Sequence, residues 1–247
     1  MNKKISLRDA FGSTLVNHSH KYPNLIVLDA DLAAGTGLSD FRKKFPKKFI
    51  QCGIAEQNMA SVAGGIASMG KTVIINSFSI FLLRAFEQIR LSIAYSNLNV
   101  KIVGGHTGID VGPDGASAQC IEDIACFRSL PNMTVIAPCD SIEMEKALLT
   151  ILKYKKPVYL RSGRSPIKQI FPKNKKFKIG KGTILRDGKD LTLIACGIMT
   201  SRCIEAADIV KKKYKIDVRV VNMSSIKPID KKLIIKSAKK TKLIISC

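Results

Sequence analysis

The sequence predicts an α/β fold, with a parallel-sheet domain followed by a second, smaller α/β domain. Short apolar runs rich in β-branched residues alternate with amphipathic stretches along the whole 247-residue chain. Near-continuous apolar strands separated by helices indicate a parallel sheet that is covered on both faces. A hydrophobic share of 46% supplies enough side chains for a large core.

The first domain is predicted to contain five strands and at least four helices. The strands are expected at 24–31, 71–78, 100–106, 133–138 and 157–163. The helices between them are expected at 55–69, 81–96, 118–130 and 141–154. Asp140 precedes the last of these helices and is a typical N-cap residue.

The amino-acid composition changes after Arg164. The following segment is rich in proline, glycine and lysine, which indicates a linker. The predicted division is therefore a first domain at 1–165, a linker at 166–182 and a second domain at 183–247. The chain stops on an apolar strand that nothing later in the sequence covers. We therefore expect the second domain to be truncated, with further sequence after Cys247 in a full-length relative.

Composition favours a cytoplasmic protein that binds neither nucleic acid nor a membrane. The formal net charge is +22, but the lysines are spread over helix ends and loops with few aromatic residues among them. That pattern is typical of a solvated surface and not of a platform for stacking bases. No apolar run is long enough to span a bilayer. The seven cysteines show no CxxC spacing and no pairing with histidine, so neither a metal site nor a disulfide framework is predicted.

Polar segments follow the predicted strands, where a sheet of this kind binds its ligands. These segments are GIAEQN, SFSIF, GGHTGIDVGPDGAS and RSGRS. Glu56 in the first of them has two interpretations: a solvated acid in the first turn of a helix, or a buried acid that sets the protonation of a bound molecule. The segments together predict a ligand site at this edge of the sheet.

Five motifs in register give the chain a resemblance to the transketolase family. The segments GIAEQNM, SFSIFLLRAFEQIR, GGHTGIDVGPDGAS, EDIACFRSLPNMTVIAPCD and YLRSGR resemble its pyrimidine-binding domain, and the sequence from about 180 resembles the start of its C-terminal domain. The GDG…N motif, which holds Mg²⁺ and the cofactor diphosphate in this family, does not occur here. The resemblance therefore implies the C-terminal subunit of a split enzyme, with the motif on an N-terminal partner subunit and an α2β2 assembly.

The resemblance also implies the roles of individual residues. Glu56 matches the acid that hydrogen-bonds a pyrimidine nitrogen of thiamine diphosphate and drives its tautomerisation. Phe78 and Phe81 match the residues that stack on the pyrimidine, and Arg84 matches a neighbouring position where other members carry Tyr or Arg. Mg²⁺ would be held mainly by the partner subunit.

The remaining matches concern the substrate, for which the resemblance implies transfer of a two-carbon ketol unit from a ketose phosphate to an aldose phosphate. His106 and Arg164 match residues that bind the terminal phosphate, and we also count His106 among the catalytic candidates. Asp114 matches an acid that reads a donor hydroxyl, although Pro-Asp-Gly is a good turn sequence without any ligand. Arg161 is a weaker candidate for the same phosphate.

One departure from the family pattern leaves alternatives open. Most members carry histidine, and some carry glutamine, where this sequence has Ala118. The alanine side chain cannot donate, accept or transfer a proton, and the adjacent Gln119 is a candidate to replace the missing contact. The alternatives are a 1-deoxyxylulose-5-phosphate synthase-like protein, a 2-oxoacid dehydrogenase E1β-like subunit and a catalytically inactive scaffold.

Overall fold

Three sheets and ten α-helices organise residues 4–247, the part of the chain that the computed structural model describes. The strands are β1 (Lys4–Ile5), β2 (Leu25–Asp29), β3 (Phe49–Gln51), β4 (Thr72–Phe78), β5 (Val100–Gly105), β6 (Thr134–Ile136), β7 (Val158–Arg161), β8 (Ile167–Lys168), β9 (Thr183–Arg186), β10 (Leu191–Ala195), β11 (Val218–Asn222), β12 (Ser225–Lys227) and β13 (Ile244–Ser246).

The helices are α1 (Leu7–His18), α2 (Ala33–Thr36), α3 (Ser39–Lys44), α4 (Glu56–Ser68), α5 (Ser79–Arg84), α6 (Phe86–Gln88), α7 (Asp123–Ser129), α8 (Ser141–Ile151), α9 (Met199–Tyr214) and α10 (Lys231–Thr241). A π-helical segment, Ile89–Tyr95, continues α6. Single 3₁₀ turns occur at Ser19–Lys21, Pro46–Lys48, Gly112–Asp114 and Ala116–Ala118.

The main sheet has seven strands in the order β12-β6-β7-β5-β4-β2-β3. All neighbours are parallel except β12, which runs antiparallel to β6. The α/β prediction with a parallel sheet is confirmed, and each of the five predicted strands is found within two residues of its expected ends. Every residue of the central strand β5 is buried, including Lys101, whose ammonium donates to the carbonyls of Tyr154 and Lys156 at 2.6 Å.

Helices cover both faces of this sheet because successive strand residues point to opposite sides. On β4, Ile74 belongs to the core beneath α1 and α8, whereas Ile75 belongs to the core beneath α4 and the π-helical segment. Asp140 caps α8 as predicted, since its carboxylate accepts a hydrogen bond from the Glu143 backbone N–H at 2.7 Å.

Two helix predictions need correction. The helix expected at 118–130 begins only at Asp123, because Gly108 and Cys120 exchange backbone hydrogen bonds of 2.6 and 3.2 Å that hold the preceding residues in a loop. The helix expected at 81–96 is divided into α5, α6 and the π-helical segment. Helix α1 and the three-residue strand β3 were not among the predicted elements.

A second sheet, in the order β13-β10-β11-β9, lies in the C-terminal part of the chain, where only β9 is antiparallel to its neighbour. Glu143 on α8 connects it to the main sheet. Its buried carboxylate lies 3.0 and 2.9 Å from Nδ2 of Asn222 and accepts a 2.9 Å hydrogen bond from Ser224. Across residues 4–247 no helix is both long and apolar enough to cross a membrane.

Candidate functional site

The candidate residues follow four parallel strands of the main sheet. Glu56 begins α4 after β3, Phe78 ends β4, His106 follows β5, and Arg164 follows β7 by three residues. Parallel strands present their carboxyl ends at one edge of the sheet, so these residues share that edge. The fold therefore places Glu56, Phe78, His106 and Arg164 at the predicted edge of the sheet.

Glu56 is a largely buried residue at the start of α4, and its carboxylate oxygens keep some contact with solvent. Only 5% of the residue is exposed, and within the described residues its side chain has no hydrogen bond or ion pair. A carboxylate gains some stabilisation from the helix N-terminus, but burial without a partner is costly. The position therefore fits a carboxyl that pairs with a donor on a bound molecule. The low exposure of Glu56 favours the second of the two initial interpretations, an acid that acts on a bound molecule, over a solvated first-turn acid.

Two aromatic rings lie on the neighbouring elements, since α4 packs against β4 and α5. Phe78 and Phe81 are stacked, with 5.4 Å between ring centroids and 22° between ring planes. Gly35 on α2 leaves room for this arrangement, because a Cβ there would lie 3.1 Å from the ring of Phe78. An unpaired carboxylate and partly buried aromatic rings fit a flat, nitrogen-containing ring such as the pyrimidine of thiamine diphosphate. Arg84, the last residue of α5, is exposed.

His106 lies against this aromatic pair. Its imidazole stacks on Phe78 with 3.6 Å between centroids, and only 2% of the residue is exposed. Its φ of +53° turns the chain sharply after β5. Burial lowers the pKa of His106 below its usual value, although the neighbouring Asp114 opposes the shift. A neutral imidazole with its proton on Nε2 can donate to the carboxylate of Asp114, which lies 2.9 Å away.

The three predicted substrate residues come together at Asp114. The oxygen Oδ2 of Asp114, which contacts His106, also lies 3.1 Å from Nη1 of Arg164. The same Nη1 donates to the carbonyl of Val111. Asp114 is 40% exposed and Arg164 is 27% exposed, so solvent reaches both side chains. The cluster offers donors that can grip an anion and an acceptor that can bond a hydroxyl.

Arg161 has a different environment. Its guanidinium donates to the buried Asp123 at 2.8 and 3.2 Å, and Tyr159 donates to the same carboxylate at 2.7 Å. Burial raises the pKa of Tyr159 well above its usual value, so the phenol keeps its proton. These contacts bind Arg161 to an internal acid and leave Arg164 as the arginine that joins the His106 cluster.

Sequence reasoning missed a hydroxyl contact that connects this buried acid to the aromatic pair. The hydroxyls of Tyr159 and Ser79 lie 2.9 Å apart, and Ser79 begins α5 directly after Phe78. A Cβ at Gly104 would lie 2.4 Å from the Ser79 hydroxyl and 2.5 Å from that of Tyr159, so only glycine fits between them. The partners are separated by up to 80 residues, and no local pattern could have identified them.

Ala118 lies in the 3₁₀ turn Ala116–Ala118 and is 5% exposed. Gln119, the candidate replacement for the missing polar contact, is half-buried and adopts an extended backbone. In the described part of the chain, its side chain has no hydrogen-bond partner.

Comparisons with known proteins match both halves of the chain. Residues 3–169 match the transketolase pyrimidine-binding domain, and residues 180–247 match the transketolase C-terminal domain. The chain belongs to the transketolase family. The resemblance noted in the sequence is thereby confirmed.

The similar transketolase proteins include both split and single-chain forms. A protein of Methanocaldococcus jannaschii, assigned as a transketolase C-terminal section, is 47% identical over 234 residues, which are 94% of this chain and 74% of that protein. Human transketolase is 38% identical over 242 residues, which are 97% of this chain and 38% of the human protein. A solved structure of a split gene transketolase, described as an inactive β4 tetramer, aligns with a TM-score of 0.91 at 43% identity and covers 99% of this chain and 80% of that one.

Proposed function

We propose that this chain is the pyrimidine-binding subunit of a split, thiamine diphosphate-dependent transketolase. The observation that carries the proposal is Glu56, a largely buried acid without a partner in the described chain, on a helix that packs against β4, which ends with Phe78, and against α5, which bears Phe81. Glu56 would share a proton with a pyrimidine nitrogen, and the two rings would hold the pyrimidine plane. When bound, thiamine diphosphate supplies the electron sink that carbon–carbon bond cleavage in a ketose requires.

The chain's own residues would orient the sugar phosphate. His106 and Arg164 would bind its terminal phosphate, for which the planar donors of arginine are well suited. Asp114 would accept a hydrogen bond from a hydroxyl of the donor. In this assignment His106 would contact both the substrate phosphate and Phe78, one of the two rings that would hold the pyrimidine. For this reason we count His106 among the catalytic residues.

An N-terminal partner subunit would complete the site with Mg²⁺ and the diphosphate clamp, in an α2β2 assembly. The divided relatives support this, because the chain spans 74% of the Methanocaldococcus jannaschii protein but only 38% of human transketolase. We also propose that residues 1–165 form the pyrimidine-binding domain, that 166–182 link it to the next, and that 183–247 form the C-terminal domain.

Ala118 favours a second candidate, in which the same subunit acts on a donor other than xylulose 5-phosphate. Two relatives are named for other sugars. One is a 6-deoxy-6-sulfo-D-fructose transketolase subunit of Clostridium sp. strain MSTE9, at 37% identity, and the other is a subunit of an apulose-4-phosphate transketolase of Phocaeicola vulgatus, at 35% identity. Without the usual histidine, contacts to the reacting hydroxyls differ, and so would the preferred sugar.

The test is reconstitution with the second chain. The tagged subunit is purified from its native lysate with its partner, and the pair is assayed on xylulose 5-phosphate and ribose 5-phosphate with thiamine diphosphate and Mg²⁺. We expect turnover by the pair and none by either chain alone. Turnover on a 6-sulfo or branched sugar alone would favour the second candidate. A stable pair that binds the cofactor and turns over none of these sugars would contradict both candidates and favour an inactive scaffold.

A further inference from the structure

A single carboxylate oxygen occupies the place between the two groups assigned to phosphate. Oδ2 of Asp114 lies 2.9 Å from Nε2 of His106 and 3.1 Å from Nη1 of Arg164. The two nitrogens therefore already converge on one anionic oxygen, in the way that they would converge on an oxygen of a phosphate.

We propose that Asp114 is an internal substitute for the substrate phosphate, which must displace it before a sugar can bind productively. This inference rests on the proposed function, because it takes His106 and Arg164 to be the phosphate-binding pair. It adds a basis for substrate specificity. An anionic group on the substrate displaces the carboxylate of Asp114 from His106 and Arg164, and that carboxylate can then accept a hydrogen bond from a hydroxyl of the same substrate.

The loop that carries Asp114 is suited to this exchange. Asp114 lies in a short turn that begins with Gly112 and Pro113 and is followed by Gly115, and the two glycines, with φ values of +74° and +72°, let the backbone change conformation at both ends of the turn. The ends of the loop are fixed independently of Asp114. Gly108 pairs with Cys120, and Ser165 donates a 2.5 Å hydrogen bond to Asp110. The acid can therefore move while the loop stays attached.

The two partners of Asp114 are held more firmly than the acid itself. His106 is 2% exposed and is stacked on Phe78, and Arg164 also donates to the carbonyl of Val111. Asp114, in contrast, is 40% exposed. The donors thus remain in place when the carboxylate leaves, and the site does not have to be rebuilt around the phosphate.

The exchange favours a charged substrate over a neutral one. A phosphate carries more charge than a carboxylate and has three terminal oxygens, so it can satisfy both donors at once. The cost of freeing Asp114 is modest because its side chain is already partly solvated. A neutral sugar offers no charge to replace that of the carboxylate, and it would leave the donors occupied by Asp114.

Binding of inorganic phosphate to the full chain tests this directly by isothermal titration calorimetry at fixed pH and ionic strength. Asp114→Ala should bind phosphate at least about tenfold more tightly than the wild type, because the competing carboxylate is gone. Glu122→Gln is the matched control, since it removes one negative charge from an exposed residue just after the same loop and contacts neither His106 nor Arg164. It should change phosphate affinity by less than about threefold.

A double variant locates the bound phosphate. Arg164→Gln placed in the Asp114→Ala chain should abolish the gained affinity. Asp114→Asn, which keeps an acceptor of the same shape, replaces Asp114→Ala if the smaller side chain unfolds the protein, as judged by circular dichroism. It should show a smaller gain of the same sign.

The outcomes separate this inference from the proposed function. Equal or weaker phosphate binding by Asp114→Ala, or an equal gain in Glu122→Gln, would overturn the role of Asp114 as a substitute. An Asp114→Ala chain whose gain survives Arg164→Gln would overturn the assignment of the pair. If the predicted affinities are found but the reconstituted pair has no transketolase activity, the proposed function fails and the exchange at Asp114 stands.

Discussion

The imidazole of His106 lies flat against the ring of Phe78, with 3.6 Å between the two centroids. Phe78 also stacks on Phe81, so this one ring belongs to the proposed pyrimidine site and also contacts a residue of the proposed phosphate site. A substitution at Phe78 should therefore affect both cofactor binding and phosphate binding.

We expect Phe78→Leu to weaken both thiamine diphosphate and sugar phosphate binding, whereas Phe81→Leu should weaken only the cofactor. Each lost aromatic stack is worth about 0.5–1.5 kcal/mol, which corresponds to roughly two- to tenfold in affinity. The measurement is the cofactor dissociation constant and the KM for sugar phosphate of the two-chain enzyme. Equal substrate KM values for the two variants would contradict the shared role of Phe78.

Tyr159→Phe should lower the free energy of unfolding by about 1.5–3 kcal/mol, because the buried carboxylate of Asp123 loses a donor. Tyr154→Phe is the control, since within residues 4–247 the hydroxyl of Tyr154 has only a 3.5 Å contact with Thr134. It should cost less than about 1 kcal/mol. Urea unfolding of both variants checks the difference. Equal losses would mean that the contact of Tyr159 with Asp123 contributes nothing specific.

Burial of His106 gives stability a dependence on pH. Burial lowers the pKa of His106 below its usual 6.5, so the unfolded chain binds this proton more readily than the folded chain. The stability associated with the neutral imidazole is therefore complete above about pH 6.5, decreases as the pH falls through that value and levels off below the folded-state pKa.

His106→Asn should remove this contribution, and asparagine tolerates the positive φ at this position. The measurement is the free energy of unfolding in urea from about pH 8 to about pH 5. The wild type should lose more stability than the variant over this range, with His18 and His20 common to both chains. Parallel curves would contradict a lowered pKa for His106.

Ala118→His should raise turnover of xylulose 5-phosphate by about tenfold or more if the missing donor limits the rate. Ala116→His is the control, because Ala116 belongs to the same 3₁₀ turn but is exposed. Initial rates of the two-chain enzyme provide the comparison, with thermal unfolding to confirm that buried Ala118 accepts the larger side chain. An unchanged rate would indicate that another residue, such as Gln119, already supplies the contact.

The strands of the main sheet were predictable because each is a buried apolar run between polar segments. The residues at their carboxyl ends, including Glu56 and His106, were found by the same reasoning together with the family resemblance. Each of these residues lies in a short polar segment that can be recognised by itself, and the parallel sheet brings the separate segments to one edge.

The contacts among those residues could not be predicted, because they depend on loops and on distant partners. The loop from Gly108 to Cys120 replaces the first residues of a predicted helix and carries Asp114 to His106. The contact of Tyr159 with Ser79 requires that residue 104 has no side chain. The pattern of apolar and polar residues along the sequence does not show this requirement. Arg161 and Arg164 are only three residues apart, and only their partners distinguish their roles.

Replacing Glu56 by glutamine tests the central claim most directly. Glu56→Gln and the control Glu87→Gln, which alters an exposed acid on α6, are each assembled with the partner subunit, and turnover is measured with saturating thiamine diphosphate and Mg²⁺. If Glu56 is the acid that acts on the cofactor, its variant should keep the fold and lose about 10²–10⁴ in turnover, while the control keeps wild-type activity. Turnover of Glu56→Gln within about threefold of the control would contradict the assignment of this site.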